Sequence, residues 1–419
     1  MKHLNLLALL ALFLTATSCE VDYDVFDGQV DDPLENINNP LNFSDADYAV
    51  LSRELDIDQE IFMPLPKVPA HLSSPSLATE LSPTQMRRAL LGRVLFYDTR
   101  LSVTGETSCA SCHNQQHAFG DKFNVSKGIR GAHTSRNSFP LGAVPSFATA
   151  PTNPSLPVVG YYSPPPPNDT DSEDFAKFFW DGRADNIVQQ ARETMSSPIE
   201  MGTDLETLAE KLRREPIYQI LFRKAFRTQE ISSGHIISAI SDFMITMSST
   251  NSPFDDYRDM VDAGASEAEL LGEFTAEQVR GGAIFEESCA GCHSKAGRQP
   301  PVSLANNGLD MVYADKGNGA ATGDQTMNGA FKTPFLRNLP YSAPYMHDGR
   351  FSTLSEVVDH YSDGILPHPN LHRRLKNEDG SPRNLRLSEA DKQALVSFLE
   401  MTADRSIMTA NHLSDPFRG

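Results

Sequence analysis

A five-residue motif, Cys-x-x-Cys-His, occurs twice in this sequence and could hold a redox-active metal. Its residues are Cys109, Cys112 and His113 in the first copy and Cys289, Cys292 and His293 in the second. Two thiols at this spacing can bond to the vinyl groups on one edge of a porphyrin, and the imidazole that follows can then ligate the iron. The sequence therefore predicts two covalently bound c-type haems, each with its motif histidine as the proximal ligand.

A zinc site is the other metal centre that cysteine and histidine commonly build. Zinc sites usually combine one Cys-x-x-Cys pair with a second, distant pair of ligands. Here a histidine directly follows each cysteine pair, which a zinc site does not require. The pattern therefore favours haem over zinc at both positions.

The overall charge limits the class of partner. The chain has 419 residues, of which 39% are hydrophobic, and a formal net charge of −19. Such a surface repels phosphate backbones, so we expect no nucleic-acid partner. A basic redox protein would be attracted to this acidic surface and is the better candidate for a partner. Four of the five cysteines lie in the two motifs, which leaves no partner for Cys19 in a disulfide.

The first residues have the pattern of an export signal. Lys2 is followed by an apolar run, Leu4 to Leu14, that is too short to span a bilayer. Residues 16–19 read Ala-Thr-Ser-Cys and resemble a bacterial lipobox, in which the chain is cut before the cysteine and Cys19 then carries lipid. Ordinary signal cleavage nearby is the alternative. The sequence predicts an exported lipoprotein, periplasmic or at the cell surface, whose only membrane contact is this lipid anchor.

Helical patterns dominate the rest of the chain, and strand patterns are scarce. We expect a signal peptide over residues 1–18 and an acidic, extended tether over 19–79, within which residues 45–55 allow a short helix. An N-terminal haem domain over residues 80–265 and a C-terminal haem domain over 266–419 should follow. The predicted fold is mainly α, with two cytochrome c-like haem domains and long irregular loops.

Helix starts precede both motifs. Ser82-Pro83 predicts a helix cap and first turn, and Thr275-x-x-Gln278 is a capping box for a helix that runs into Cys289. Between the motifs, residues 150–174 are rich in proline. That composition predicts an irregular loop, partly in the polyproline II conformation.

Two further segments accompany the cysteine motifs. Residues 179–184 read Phe-Trp-Asp-Gly-Arg-Ala, and residues 344–349 read Pro-Tyr-Met-His-Asp-Gly. With this combination the chain resembles the bacterial di-haem cytochrome c peroxidase and MauG family over roughly residues 80–402.

The resemblance implies that hydrogen peroxide reacts at the N-terminal haem, on the side away from His113. By their position after Trp180, Gln190 and Glu200 match the family's distal glutamine and glutamate. A carboxylate there can take a proton from peroxide and return it to the leaving oxygen, while the glutamine orients peroxide or water. Trp180 matches the tryptophan that carries electrons or holes between the haems in family members. A surface glutamate and a packed core indole are the structural alternatives.

The resemblance also implies that the C-terminal haem stores and relays electrons. The family places a second axial ligand fourteen residues after the histidine of His-Asp-Gly, a methionine in ordinary members and a tyrosine in MauG-type proteins. Fourteen residues after His347 the chain has Tyr361, which shares a predicted helical face with Leu354 and Val357. Met346 is the alternative ligand, in which case the Tyr361 hydroxyl would bond to a carbonyl group.

A calcium ion between the haems is a further implication of the resemblance. Asn137 and the backbone carbonyls near Ser342 and Pro344 match the family's site, and amide and carbonyl oxygens suit a hard cation. Ser342 stands where relatives often have threonine.

The sequence therefore predicts an exported cytochrome c peroxidase-like oxidoreductase. It would reduce hydrogen peroxide with electrons from a donor protein such as a small cytochrome or a cupredoxin, and it could form a homodimer. One alternative is a MauG-like oxidase that uses peroxide to oxidise a protein or a small molecule. The other is a di-haem electron carrier without catalytic activity.

The state of the N-terminal haem at rest is a separate expectation. In many relatives a loop histidine ligates this haem until the enzyme is reduced. The corresponding loop here, residues 121–136, contains only His133, which matches that position poorly. An anionic oxygen ligand such as Tyr361 also stabilises ferric iron at the second haem. We therefore expect an N-terminal haem that is open as isolated; the alternative is His133 as a resting ligand, since Gly128 and Gly131 make its loop mobile.

Overall fold

The computed structural model describes residues 41, 43–57, 63–64, 69–72, 81–143, 177–185, 187–247, 249–294 and 302–418. The predicted signal peptide, Cys19 and the proline-rich segment 150–174 lie outside these residues.

Helices make up most of the regular structure, which confirms the predicted mainly α fold. They are α1 (Asp45–Leu51), α2 (Pro83–Tyr97), α3 (Cys109–Cys112), α4 (Ile187–Ser196), α5 (Leu205–Leu212), α6 (Pro216–Phe226), α7 (Ser233–Ile245), α8 (Pro253–Asp262), α9 (Glu267–Glu273), α10 (Ala276–Ser288), α11 (Ala290–His293), α12 (Asn318–Thr322), α13 (Leu354–Asp359), α14 (Glu389–Glu400) and α15 (Ser406–Thr409). Two short antiparallel strands, β1 (Leu304–Ala305) and β2 (Phe331–Lys332), pair Leu304 with Lys332.

Both predicted helix starts are present. Ser82 accepts a hydrogen bond from the backbone N–H of Gln85, and Pro83 occupies the first turn of α2. Thr275 and Gln278 cap α10 reciprocally, and this helix ends at the residue before Cys289. Each cap satisfies backbone N–H groups that a helix start leaves without an intrahelical partner.

The helix before each cysteine motif crosses a later helix at a glycine. In the first half, a Cβ atom at Gly92 of α2 would overlap the backbone carbonyl of Ala239 in α7. In the second half, a Cβ atom at Gly281 of α10 would overlap the carbonyl of Ala394 in α14. The same close approach of two helices is thus built twice, with α2 and α7 in one hydrophobic core and α10 and α14 in the other.

The residues before α2 differ from the expected extended tether. Leu41, Leu51 and Leu55 are fully buried in the first hydrophobic core, and Ser44 caps α1. The stretch is acidic, but its apolar residues are spaced so that α1 buries one face. The tether prediction is therefore wrong for these residues, which belong to the folded body.

The last residues of the chain also differ from the expected domain boundary. Ile407 and Leu413 are buried in the first hydrophobic core, although they follow the second haem domain in sequence. The side chain of Gln115 donates hydrogen bonds to the carbonyls of Ile407 and Ala410, both at 3.0 Å. The assignment of all residues after 265 to the second domain is therefore wrong for this segment.

No helix within the described ranges is both long enough and apolar enough to cross a membrane.

We predict that Gly281→Ala lowers the free energy of unfolding by about 1–3 kcal/mol, because the added methyl group forces α10 away from α14. Denaturant unfolding of the haem-loaded protein, followed by circular dichroism, measures the change. Gly272→Ala in α9 is the control, since an added methyl there has no neighbour within 4 Å. Equal unfolding midpoints for the two variants would show that the crossing tolerates a side chain.

Candidate functional site

The first cysteine motif lies in the wall of a cavity in the N-terminal half. Cys109 and Cys112 are at the two ends of α3, and His113 follows directly. All three residues line the cavity, together with Gln190 and Glu200. The structure thus brings together the residues that the sequence assigned to the peroxide-reacting haem, including Trp180, which lines the same cavity and is described below.

Hydrogen bonding prepares His113 to ligate a metal. Its Nδ1 atom donates to the backbone carbonyl of Phe119 at 2.8 Å, so the neutral ring keeps its lone pair on Nε2. Two consecutive left-handed residues, Ala118 and Phe119, form the tight turn that contains this carbonyl. Burial lowers the pKa of His113, which favours the neutral form that a metal requires.

The second motif repeats this arrangement in the C-terminal half. Cys289, Cys292 and His293 line a second, largely apolar cavity. The Nδ1 atom of His293 donates to the backbone carbonyl of Pro334 at 3.1 Å, and burial lowers the pKa of His293. Each cavity therefore combines an apolar wall, a pair of cysteine thiols and an oriented neutral imidazole, which is the donor set that c-type haem needs.

Within the described residues, the motif cysteines and histidines do not form a site in which side chains alone hold a metal ion. Among the residues that the structure describes, no group of three or more His, Cys, Asp or Glu side chains is arranged to hold an ion. Within the described ranges, neither motif has the second pair of ligands that a zinc site would need. The residues present fit haem.

Glu200 is placed by a tight turn after α4. The backbone N–H groups of Glu200 and Gly202 both donate to the carbonyl of Ser197, at 3.2 and 2.7 Å. The carbonyl of Ile199 in turn accepts from the N–H of Ile129, which ties the turn to a neighbouring loop. Burial raises the pKa of Glu200 from its ordinary value, partly offset by a hydrogen bond from Ser197. A carboxyl group whose pKa is raised holds its proton more readily than an ordinary glutamate and can still release it, as an acid–base group must.

Trp180 lies between the two cavities and lines both of them. Its indole N–H donates to the backbone carbonyl of Asn137 at 2.8 Å, and its ring contacts Phe139 with 4.8 Å between ring centres. The backbone N–H of Asn137 donates to the carbonyl of His347 at 2.8 Å. These bonds connect the tryptophan to residues of both halves of the chain.

An ion-pair cluster that the sequence did not predict fixes the loop around Trp180. Arg136 donates to Asp181 at 2.6 Å and to Asp315 at 2.7 and 2.9 Å. Arg183 donates to the same Asp181 carboxylate at 2.8 and 2.9 Å. Their separation in sequence, from residue 136 to residue 315, gives no local pattern that could have indicated the contact.

Tyr361 lies in the wall of the C-terminal cavity, as does Met346. The side-chain amide of Asn307 donates to the Tyr361 hydroxyl at 3.2 Å and contacts the Met346 sulfur at 3.7 Å. Tyr361 belongs to a π-helical turn, His360–Gly364, that follows α13. His360 donates to the carbonyl of Asn307 at 3.0 Å and so helps to hold that amide in place. Asn307 lies in a polar, glycine-rich stretch that carried no signal for this role.

The residues expected to bind calcium share the wall of the C-terminal cavity. Asn137 lines both cavities, whereas Ser342 and Pro344 line only the C-terminal one. The Asn137 amide N–H donates to the carbonyl of Phe123 at 3.0 Å, and the Ser342 hydroxyl donates to the carbonyl of Leu339 at 3.3 Å. Calcium at these residues stays a prediction.

His133 lies outside the N-terminal cavity. It is exposed, it pairs with Lys127 in an isolated antiparallel bridge, and it does not contribute to the cavity wall.

Comparison with known proteins gives related sequences over most of the chain. The sequence profile of a family described as di-haem cytochrome c peroxidase matches residues 86–262. The methylamine utilization protein MauG of Methylorubrum extorquens is 33% identical over 324 residues, which cover 76% of this chain and 79% of that protein. The cytochrome c551 peroxidase of Nitrosomonas europaea is 28% identical over 290 residues, which cover 67% of this chain and 74% of that protein.

A solved structure shares the fold. It is a MauG-like protein associated with microbial copper homeostasis, with a TM-score of 0.61 and 28% sequence identity, and the match covers 86% of this chain and 98% of that one. The two haem-attachment motifs indicate the same family as the sequence similarity to MauG, which extends over most of both chains. This chain belongs to the family of di-haem cytochrome c peroxidases and MauG proteins.

Proposed function

We propose that this protein reduces hydrogen peroxide at its N-terminal cavity with electrons relayed from its C-terminal cavity. The observation that carries this proposal is a half-buried carboxyl group, Glu200, in the same cavity wall as Cys109, Cys112 and His113. An electron carrier has no use for an acid–base group beside its iron. A peroxide-reducing enzyme needs one, because cleavage of the O–O bond requires a proton at the leaving oxygen.

The residues of the chain would divide the work as follows. Haem bound in each cavity supplies iron that exchanges electrons and, at the N-terminal site, reacts with peroxide. Glu200 takes a proton from one oxygen of hydrogen peroxide and delivers it to the other, which leaves as water. Gln190 orients the peroxide by hydrogen bonding. Trp180 offers an aromatic route for electrons, since it lines both cavities and is hydrogen-bonded to both halves of the chain.

A MauG-like oxidase is the second candidate, and Tyr361 favours it. The hydroxyl of this tyrosine lies in the C-terminal cavity, where the resemblance places a tyrosine in MauG-type proteins and a methionine in ordinary peroxidases. Two assays distinguish the candidates. Peroxide-dependent oxidation of a reduced small cytochrome or cupredoxin supports the peroxidase, and peroxide-dependent oxidation of a protein or small organic substrate supports the oxidase. Failure to consume peroxide in either assay would leave the electron carrier.

The surroundings of the enzyme form part of the same proposal. Export follows from the pattern of residues 1–18, and Cys19 would carry a lipid that holds the enzyme at a membrane surface in the periplasm or outside the cell. A small cytochrome or cupredoxin would deliver electrons. Calcium at Asn137, Ser342 and Pro344, and a homodimer, are further parts of this proposal that rest on the resemblance alone.

We predict that Glu200→Gln slows peroxide turnover by roughly 100-fold or more, as the loss of an acid–base group does, with both haem spectra nearly unchanged. The unprotonated carboxylate is the form that accepts the first proton. The wild-type rate should therefore fall as the pH drops through the raised pKa of Glu200, and this loss should disappear in the variant. Stopped-flow kinetics across a pH series measures both effects. Glu206→Gln, an exposed carboxylate on α5, is the control; full turnover by Glu200→Gln would assign the proton to another group.

We predict that Tyr361→Phe changes the ferric absorption and electron paramagnetic resonance spectra of the C-terminal haem only, because it removes one oxygen from that cavity. Tyr345→Phe is a matched control. It removes a hydroxyl from the same cavity wall that is already bonded to the carbonyl of Leu339 at 2.8 Å. Spectra of Tyr361→Phe that match those of the wild type would transfer the ligand role to Met346, which Met346→Leu then tests.

We predict an N-terminal haem that is high-spin as isolated and reacts with peroxide without prior reduction. The reason is that His133 lies outside the cavity wall, so the structure offers no contact by which it could close the iron. Electron paramagnetic resonance of the fully ferric protein, before and after peroxide is added, tests this. His133→Ala should leave the result unchanged. Two low-spin signals, with reactivity only after one-electron reduction, would contradict the prediction.

A further inference from the structure

One buried cation has no role in the chemistry described so far. Lys332, in strand β2, is only 8% exposed and lines the C-terminal cavity together with Cys289, Cys292 and His293. Its ammonium group lies 4.9 Å from the centre of the Phe139 ring and 5.1 Å from that of Phe178.

This ammonium group has no carboxylate partner among the residues that the structure describes. Burial alone lowers the pKa of Lys332 to about 8, with no charged group of the chain acting against it. The two aromatic rings attract a cation only weakly compared with an anion at contact distance. An isolated buried charge is costly, so a lysine kept at such a place indicates a counter-ion that comes from outside the polypeptide.

Haem brings such a counter-ion into this cavity, since each c-type haem carries two propionate carboxylates. We propose that Lys332 forms an ion pair with one propionate of the C-terminal haem. This inference rests on haem in that cavity, which family membership implies, and it does not depend on the reaction with peroxide.

The position of Lys332 connects this ion pair to Trp180. The backbone N–H of Lys332 donates to the carbonyl of Trp180 at 2.7 Å. Its side chain also packs over Phe139, the ring that contacts the indole. The ion pair would therefore lie close to Trp180, the tryptophan between the two cavities.

The ion pair has a consequence for the reduction potential. A propionate without its counter-ion stabilises the more positively charged ferric state, so loss of the lysine should lower the midpoint potential of the nearby haem. Lys332 would thereby help to set how readily the C-terminal haem accepts an electron and passes it towards Trp180.

The test uses the di-haem protein with Lys332→Met and Lys332→Arg. Potentiometric titration, followed by the separate electron paramagnetic resonance signals of the two haems, measures each midpoint potential. We expect Lys332→Met to lower the potential of the C-terminal haem alone, and Lys332→Arg to restore a value close to that of the wild type. Lys177→Met is the control. It removes a half-exposed lysine that pairs with Asp185 at 2.8 Å, and it should shift neither potential.

Haem staining and circular dichroism establish that each variant is folded and carries both haems. An unchanged C-terminal potential in a folded Lys332→Met protein, or a shift confined to the N-terminal haem, would overturn the proposal. If Lys332→Met does not fold, Lys332→Gln takes its place under the same criteria.

A crystal structure of the wild-type holoprotein decides the question independently of any variant. It should place Nζ of Lys332 within about 4 Å of a propionate oxygen of the C-terminal haem, the usual limit for an ion pair, and a longer separation would overturn the proposal. Peroxide turnover of the wild type is measured alongside. Its absence would count against the proposed function but not against this ion pair.

Discussion

The contact of two helix backbones without a side chain between them underlies both halves of this molecule. Gly92 against Ala239 and Gly281 against Ala394 allow an approach that any larger residue would prevent. In the second half, α10 leaves this crossing and ends directly at Cys289, so the crossing fixes where the thiols stand. In the first half a loop intervenes between α2 and Cys109, and the loop is fixed separately by the ion-paired Arg100 and Asp98. Because the haem is bonded to these thiols, their position would determine where the porphyrin ring lies in each cavity. The other cavity residues would then surround that ring.

The sequence predicted those parts of the site that are encoded locally. Each Cys-x-x-Cys-His motif is contiguous, and the capping residues Ser82 and Thr275 lie beside the helices they start. Glu200, Gln190 and Trp180 were assigned through the family resemblance, and all three line the N-terminal cavity.

Contacts between distant residues could not be predicted in this way. Asn307 holds Tyr361 across 54 positions, and Arg136 holds Asp315 across 179. In the sequence, Lys332 is an ordinary polar residue. Only the structure shows that its ammonium group lies over the rings of Phe139 and Phe178. The acidic composition before α2 led to the wrong prediction of an extended tether. Leu41, Leu51 and Leu55 of this stretch are fully buried. Charge frequency describes the solvent-facing side of such a segment and says little about its other side.

The return of the chain to its first core has a consequence for how the protein is made. Ile407 and Leu413 complete a core whose other members are drawn mostly from residues before 250, and the chain near Phe417 pairs with Leu55. Domains generally fold as they emerge, from the N-terminal end onwards. Here the core of the first domain becomes complete only after the final segment has been synthesised. A tag fused at the C-terminal end would sit next to the first haem domain rather than the second.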